Sequence, residues 1–368
     1  MSKEKNIAFF YVEAGMGHIM PLRAIQSAYN QHYGEANTKT VEFFKHPSSL
    51  KEVEEDFIKQ VKLHNKHPLW GKFQVLLMRL LGQKFSLWFL FKVRYKKHYR
   101  NALKVMEKTN ASIMVHTHFS TLYYACEANK KGLTDATNIA YCPDPVVGPQ
   151  WDKRADNIIT SYKELDDETK NIPFLLNPKI KDYEESKTHY KKQLGLNPDA
   201  FSVLLADGAY GSGKIGETTK ALLTSDKPLN LIVVCGRNEA LKEKLESLNP
   251  PDNIHLTVYG FTNSMYPLEA ASDLFIGKAG ASILAEATYF NVPSIITLHA
   301  TPIENWISDY YVSKGTSKVI KSPSKLLKQV ETFIREPSAL APYIEACKRQ
   351  DKEVDGAYRV ATIIKNKL

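Results

Sequence analysis

The sequence predicts an α/β protein with two successive parallel-sheet domains. Three observations carry that expectation. Short β-rich runs alternate with segments whose apolar residues recur at helical spacing, and they do so in two separate series. A proline-marked passage, "NIPFLLNPKIKDYEE" (residues 171–185), parts the two series. At 368 residues the chain is long for one core and comfortable for two.

The first series opens with "NIAFFYV" (residues 6–12), a buried strand by its unbroken apolar run, and residues 19–31 then space their apolar side chains as a helix. "SIMVHT" (112–117) and "NIAYC" (138–142) read as further strands. The second series runs through "SVLLADG" (202–208), "LNLIVVCG" (229–236), "IHLTVYG" (254–260), "DLFIGKA" (273–279) and "SIIT" (294–297), each followed by a helical segment. Strands alternating with helices imply parallel sheets. The boundary is expected around Leu176–Ile180, giving domains 1–176 and 177–354. No internal repeat or low-complexity tract interrupts either series.

Composition narrows the function classes. The chain is 43% hydrophobic and 24% charged, ordinary for a soluble globular protein. A net charge of +9 points to an acidic partner: nucleic acid, an anionic membrane or a phosphorylated substrate. Cys126, Cys142, Cys235 and Cys347 stand far apart with no CxxC, which suits a reducing compartment and argues against structural zinc. The opening "MSKEKNIAFFYV" carries too short an apolar run for a signal peptide. No stretch reaches the roughly 18 apolar residues of a spanning helix. A cytoplasmic protein that touches membrane is the expectation.

Open α/β sheets bind ligands at the carboxyl ends of their strands, so the turns there are where chemistry is sought. After the first strand comes "EAGMGH", in which Gly15 and Gly17 permit a sharp turn and His18 begins a helix. The equivalent turn of the second series is "LLADGAYGSGKIGE" (204–217), with Gly208, Gly211 and Gly213. Gly208, Gly213 and Lys214 fit the G-x-x-x-x-G-K spacing of a Walker A loop, but Ile215 stands where that loop needs a hydroxyl for magnesium, and "LIVVCGRN" supplies no Walker B acid. Such a turn exposes backbone N–H groups to an anion, and the helix N-terminus adds a favourable dipole.

The stretch "VYGFTNSMYPLEAASDLFIGKAGASILAEATYFNVPSII" (258–296), with "GAYGSGKI", "VVCGRNEALKEKL" and "EAGMGH", resembles the monogalactosyldiacylglycerol synthase and processive diacylglycerol glucosyltransferase family. That family is related to the N-acetylglucosaminyltransferase that makes lipid II. The resemblance covers nearly the whole chain and is densest over residues 202–320. It implies two Rossmann-like domains facing across a cleft (the GT-B type), with a C-terminal helix near 355–368 crossing back onto the first domain. It implies an inverting transfer from a UDP-sugar to a lipid acceptor, with no cofactor and no metal required. It also accounts for Ile215, since magnesium is not held at that loop.

Residue by residue, the resemblance assigns the donor site to Gly208, Gly211, Gly213, Phe261, Gly280, Ala281, Ser282, Glu286 and Glu304, with Arg237 and Asn305 added as candidates from their positions in this sequence. Glu286 would accept both ribose hydroxyls. Gly280, Ala281 and Ser282 would meet the diphosphate at a helix start, and Phe261 would read the uracil edge through its backbone. Arg237 is a candidate phosphate or base contact. Glu304 in "ATPIENW" resembles the acid of the family's P-G-Q-E loop, which touches sugar hydroxyls, but Pro302 and Ile303 replace Gly and Gln, and Ile307 replaces an Asn. An inverting transfer needs a base for the acceptor hydroxyl. Asp144 in "YCPDPVVGPQW", which resembles a family Asp preceding a Trp (here Trp151), is one candidate and His18 the other. His116 and His118 share a face at a strand end, yet lack an evident third ligand for a metal.

From Lys59 to Lys108 thirteen Lys/Arg stand against the single acid Glu107. Trp70, Phe85, Trp88, Phe89 and Phe91 are interleaved with them. Basic and bulky apolar residues together suit an interfacial segment on an anionic membrane, with Trp88, Phe89, Lys92, Arg94, Lys96 and Lys97 as the candidate contacts. The same mixture suits RNA, but no nucleic-acid fold signature accompanies it, and no nucleic-acid partner is expected. The expected protein is a glycolipid-forming transferase on the inner face of the cell membrane. Its rivals are an N-acetylglucosamine transferase acting on a polyprenyl-linked acceptor, a soluble sugar-nucleotide epimerase, and a binding-only homologue.

Overall fold

The computed structural model describes residues 6–12, 16–35, 37–45, 50–66, 68–144, 147–148, 150–161, 172, 174–211, 213–263, 265–299, 302–350, 352 and 354–368. The chain divides into two units, Met1–Pro178 with Glu353–Leu368, and Lys179–Lys352.

In the first unit β1 (Ile7–Tyr11) leads to α1 (Met16–Tyr33) and β2 (Thr38–Glu42). Four helices follow, α2 (Lys51–Lys66), α3 (Pro68–Leu81), α4 (Gln83–Trp88) and α5 (Lys96–Thr109), with a π-helical turn over Phe89–Arg94. Then come β3 (Ile113–His116), α6 (Phe119–Lys130), β4 (Thr137–Cys142) and β5 (Asn157–Thr160). The sheet is parallel in the order β2-β1-β3-β4-β5. β1 shows why its sequence is apolar throughout. Ile7 and Phe9 pack on one face with Leu22, Ile25 and Tyr29 of α1, while Ala8 and Phe10 pack on the other with Phe43, Phe91 and Tyr124. A strand covered on both faces has no solvent side to mark with polar residues. The C-terminal helix (Gly356–Asn366) joins the α1 face through Ala357, Val360, Ala361 and Ile364, and the Tyr358 hydroxyl donates to Gln31 at 2.7 Å.

The second unit runs α7 (Lys187–Gln193), β6 (Phe201–Ala206), α8 (Ile215–Leu222), β7 (Leu229–Val234), α9 (Glu239–Glu246), β8 (Ile254–Tyr259) and α10 (Tyr266–Ala270). It continues with β9 (Leu274–Lys278), α11 (Ala281–Tyr289), β10 (Ser294–Leu298), α12 (Pro302–Ser313), β11 (Ser317–Val319), α13 (Pro323–Arg335) and α14 (Pro337–Lys348). Its sheet is parallel in the order β11-β10-β9-β6-β7-β8. Val203 and Leu205 of β6 pack with Ile215 and Leu222 of α8 and Leu326 and Val330 of α13.

The eight strands expected from sequence are present. β2, β5 and β11 were not anticipated; each is an edge strand with one side unpaired. Both sheets share one topological consequence. In the first, the chain steps from β1 to β2 on one side and returns to place β3 on the other. In the second, it steps from β6 through β7 to β8, then returns to place β9 beside β6. The carboxyl ends of β1 and β3, and of β6 and β9, therefore bound the crevice where such sheets take ligands. Among the described residues no helix is long and apolar enough to cross a membrane.

Candidate functional site

At the switch point of the second unit, β6 ends by delivering Asp207, which is buried. Its Oδ2 accepts the backbone N–H of Ile215 at 3.1 Å, the first residue of α8, and the Lys214 N–H also reaches this carboxylate. The turn between them must bring the chain back on itself closely. A Cβ at Gly213 would stand 2.0 Å from Asp207 Oδ2, so no larger residue fits there. Gly211, at φ +52°, lies so close to the Cys235 carbonyl that a Cβ would come within 2.1 Å. The loop is fastened to the next turn, with Asn238 Nδ2 donating to the Gly211 carbonyl at 3.1 Å and the Arg237 N–H to that of Ala209 at 2.8 Å. The glycine loop was expected to offer its helix N-terminus to an anion. The N–H groups of Lys214 and Ile215 are instead occupied by Asp207.

Beside β6, strand β9 ends at Lys278. Its stem crosses Gly208, whose Cβ, were there one, would meet Lys278 Cε at 2.9 Å. Its ammonium donates to Glu304 Oε1 at 3.0 Å. Glu304 and Asn305 stand in the first turn of α12, which follows β10. Burial alone would lower the Lys278 pKa, but the carboxylates of Glu304 and Asp207 outweigh it and hold the ammonium above its usual range. Three neighbouring strands thus bring Asp207, Lys278 and Glu304 to one edge. Just beyond Lys278, Gly280 is the N-cap of α11 and provides no side-chain cap, so the first N–H groups of the helix, from Ala281 and Ser282 on, carry the positive end of its dipole. Ser282 is half-buried.

Glu286 lies one turn further along α11 and is 7% exposed, against fully buried Glu269 of α10. Burial pushes the carboxyls of both well above the usual carboxylate range, and for Glu269 the neighbouring Glu286 charge adds to it. Both carboxyls therefore favour the protonated form. On the other side of β6, the Arg237 guanidinium stacks over the Phe261 ring at 5.0 Å and lies 6.0 Å from that of Tyr210. Phe261 is 37% exposed, not a core aromatic.

In the first unit, His18 starts α1 after β1 and Thr117–His118 follow β3. The His18 Nδ1 sits 2.7 Å from the Thr117 carbonyl oxygen, which can only accept, so Nδ1 carries the hydrogen and Nε2 keeps its lone pair. The Thr117 hydroxyl donates back to the His18 carbonyl at 2.7 Å. His118 caps α6 by accepting the Ser120 N–H at its Nδ1, and its ring meets that of His18 edge to face. Burial lowers the pKa of both histidines, and His18 lowers that of His118 further. His116 is buried, its two ring nitrogens hydrogen-bonded to Thr121 Oγ1 and Asn138 Oδ1. Asp144, one strand further on after β4, is also buried; desolvation lifts its pKa to about 7 against the pull of the Trp151 indole N–H. Gly17 is exposed, with open space around its Cα, and Gly15 lies outside the described residues.

The basic segment divides into two parts. Leu69, Phe73, Leu76, Leu77 and Leu80 of α3, and Phe85, Trp88 and Phe89 beyond it, are all at least 42% exposed. Spacings of three and four residues place the α3 set on one helix face. The cations behave otherwise. Lys92 pairs with buried Glu127 at 2.7 Å, Arg94 with Asp56 at 2.8 Å and Lys97 with Glu52 at 3.2 Å. Counting charge within residues 59–108 misses these partners, because Glu52, Asp56 and Glu127 all lie outside it. Lys92 is therefore engaged with a buried acid, whereas Arg94 and Lys97 make surface pairs and, with Lys96, remain exposed charges.

Sequence reasoning did not single out Asp207, Lys278 or Glu269. The available signal was a charged residue closing an apolar strand, "LLAD" and "FIGK", and a lone acid in "YPLEAA".

Comparison with known proteins follows this geometry. The glycosyltransferase family 28 C-terminal domain matches residues 214–354. The processive diacylglycerol beta-glucosyltransferase of Staphylococcus saprophyticus is 29% identical over 161 residues, 44% of this chain and 41% of that protein. Monogalactosyldiacylglycerol synthase 1, chloroplastic, of Arabidopsis thaliana is 34% identical over 151 residues, 39% of this chain and 28% of that protein. The match thus spans less than half the length of these curated relatives. The crystal structure of Acinetobacter baumannii MurG has a TM-score of 0.63 at 14% identity, covering 99% of this chain and 100% of that one. That likeness establishes the fold, two parallel-sheet α/β domains of the GT-B type. Residues 214–354, which include Lys278, Glu286 and Glu304, are thus similar to the C-terminal domain of glycosyltransferase family 28.

Proposed function

We propose that this protein is an inverting glycosyltransferase that moves a hexose from a UDP-sugar to the hydroxyl of a membrane lipid, diacylglycerol being the acceptor class. The observation that carries the reading is the family 28 match lying over the second switch point. Both curated relatives are named as enzymes of diacylglycerol glycosylation, which supports a lipid acceptor over a soluble epimerase. The exposed apolar face of α3 supports it independently, since a bilayer substrate requires a surface that meets the bilayer.

In this reading Glu286 accepts the ribose hydroxyls and the backbone beside Phe261 reads the base. The open start of α11 faces the diphosphate, and Glu304 with Asn305 orients the sugar. The acceptor oxygen attacks the anomeric carbon as the bond to the UDP oxygen breaks, and the bonding pair leaves with UDP. The acceptor proton passes to a base. The geometry supports His18 over Asp144 for that role: His18 Nε2 has a lone pair and the residue is partly exposed, whereas the Asp144 carboxylate is buried.

Labelled UDP-glucose, UDP-galactose and UDP-N-acetylglucosamine, each incubated with and without diacylglycerol vesicles, test the proposal. Vesicle-dependent transfer from one donor, surviving EDTA, is expected. Epimerised UDP-sugar without any lipid product would reject it, as would transfer restored only by a divalent ion.

A further inference from the structure

We propose that Lys278 is the counter-ion of the donor's diphosphate, held in readiness by Glu304 and exchanged from it when the donor binds. The inference rests on the nucleotide reading above and adds to it the cation that reading lacks.

Four observations converge. Lys278 stands at the carboxyl end of β9, directly beside the end of β6, at the switch point of the sheet. Its side chain is neither free nor buried out of reach: it is 22% exposed, with the stem laid over Gly208 and the ammonium turned to Glu304 at 3.0 Å. Gly208 leaves room for the stem there, since even a methyl group would meet Cε at 2.9 Å. Finally, Lys278 is two residues before the uncapped N-terminus of α11, so a phosphate seated on that helix start would have an ammonium within its reach.

The chemistry explains why the partner is Glu304. A lysine presents three N–H donors on a flexible stem and binds phosphate as a point charge. Left alone in a half-buried site, its pKa would be lowered by desolvation; the two nearby carboxylates outweigh this. Asp207 has its own backbone donors at Lys214 and Ile215 and stays put. Glu304, in the first turn of α12, accepts from the ammonium itself. When a diphosphate arrives, its charge competes for the ammonium, and Glu304 is released toward the sugar hydroxyls. One residue then answers the leaving group while readying the group that grips the sugar.

Calorimetric titration of the full chain with UDP and with uridine tests this. Lys278→Gln is expected to weaken UDP binding by at least about tenfold while uridine binding is unchanged, because only UDP carries the diphosphate. Lys278→Arg keeps the charge and is expected to stay within a few-fold of the parent. Glu304→Gln removes the competing carboxylate and is expected to tighten UDP binding. Should Lys278→Gln fail to fold, Lys278→Gln combined with Glu304→Gln relieves the stranded charge and is held to the same criterion. A folded Lys278 variant that binds UDP as the parent does, or loses UDP and uridine in parallel, overturns the inference; so does Glu304→Gln weakening UDP. A parent chain that binds no UDP overturns the nucleotide reading itself, and this inference with it.

Discussion

The imidazoles of His18 and His118 meet edge to face with centroids 4.8 Å apart, one from each strand that flanks the first switch point. Neither ring gains from a proton there. Burial lowers both pKa values, so each histidine adds stability that is present above its unfolded pKa and lost as pH falls through its folded one. For catalysis the sign is the same: the neutral, base-competent form of His18 already predominates at the ordinary histidine pKa of 6.5. The acid limb of the pH profile of kcat/KM should therefore be centred below that value. His18→Gln should lower kcat by roughly 10²–10⁴-fold, the usual worth of a general base. A rising limb centred on pH 7 would transfer the role to Asp144.

Asp144 makes a separate prediction about stability. Its carboxyl is pushed from 3.8 to about 7 by burial. A raised acid contributes stability that is complete below its unfolded pKa and lost as pH rises through the folded one. Asp144→Asn keeps an acceptor for the Trp151 N–H and has no proton to lose. Denaturant melts should find it close to the parent at pH 4 and more stable at pH 8, by at most on the order of 4 kcal/mol. A variant less stable than the parent at pH 8 would show that the ionised carboxylate is wanted.

Glu286 and Glu269 predict a pH dependence of donor binding. Ribose hydroxyls donate to a carboxylate, and this one shares its pair with a second buried acid that raises the cost of ionisation. UDP affinity should rise as pH increases from about 6 to 9. Glu269→Gln removes the like charge and should shift that rise to lower pH. Glu286→Ala should lose at least about tenfold in UDP affinity while remaining folded. Calorimetry that finds UDP binding independent of pH and of Glu286 would remove the residue from the site.

How much was legible in the sequence follows from how each element meets solvent. β1, β3, β6 and β9 are covered on both faces and read as apolar runs, so their existence and bounds were plain. β2, β5 and β11 stand at sheet edges; β2, "TKTVE", is polar at every position but Val41 and gives no such run. The glycine loop was legible because Gly211 and Gly213 are forced by close approaches a Cβ would destroy. Lys278 was not, because a lysine after an apolar strand looks like any strand-end charge until topology sets it beside Gly208. The partner of Lys92 was not legible for the complementary reason: Glu127 sits 35 positions beyond Lys92 in the chain and only 2.7 Å away in space.

Gly213 gives a sharp stability test. A methyl group there would fall 2.0 Å from Asp207 Oδ2 and drive that carboxylate off the N-terminus of α8. Loss of such a cap costs about 1–2 kcal/mol, and relieving the overlap should add about 1–3 kcal/mol more. Gly213→Ala should therefore be destabilised by roughly 2–5 kcal/mol in denaturant melts, and Asp207→Ala by the cap's share alone. Equal stability of Gly213→Ala and the parent would mean that the loop yields where the packing says it cannot.

The membrane surface yields the last test, and the structure changes its form. Lys92 pairs with buried Glu127, so replacing it should disturb the fold of the π-helical turn more than it disturbs lipid binding, whereas Arg94 and Lys97 are exposed. The apolar force is separate from these charges. Leu69, Leu76 and Leu80 lie on one face of α3 and are 80%, 54% and 74% exposed. Burying a leucine from water is worth about 1.5–3 kcal/mol, so changing all three to Gln should weaken vesicle binding by at least about a hundredfold. UDP affinity should not move, because the residues proposed to bind the nucleotide belong to the other unit. Binding should be retained on zwitterionic vesicles and weaken only modestly with salt, since screening acts on the exposed charges and not on apolar burial. Trp88, half-exposed, should be quenched by a lipid-phase quencher in the parent and less in the triple variant. A triple variant that co-sediments with vesicles as well as the parent does would show that this face is not what meets the lipid.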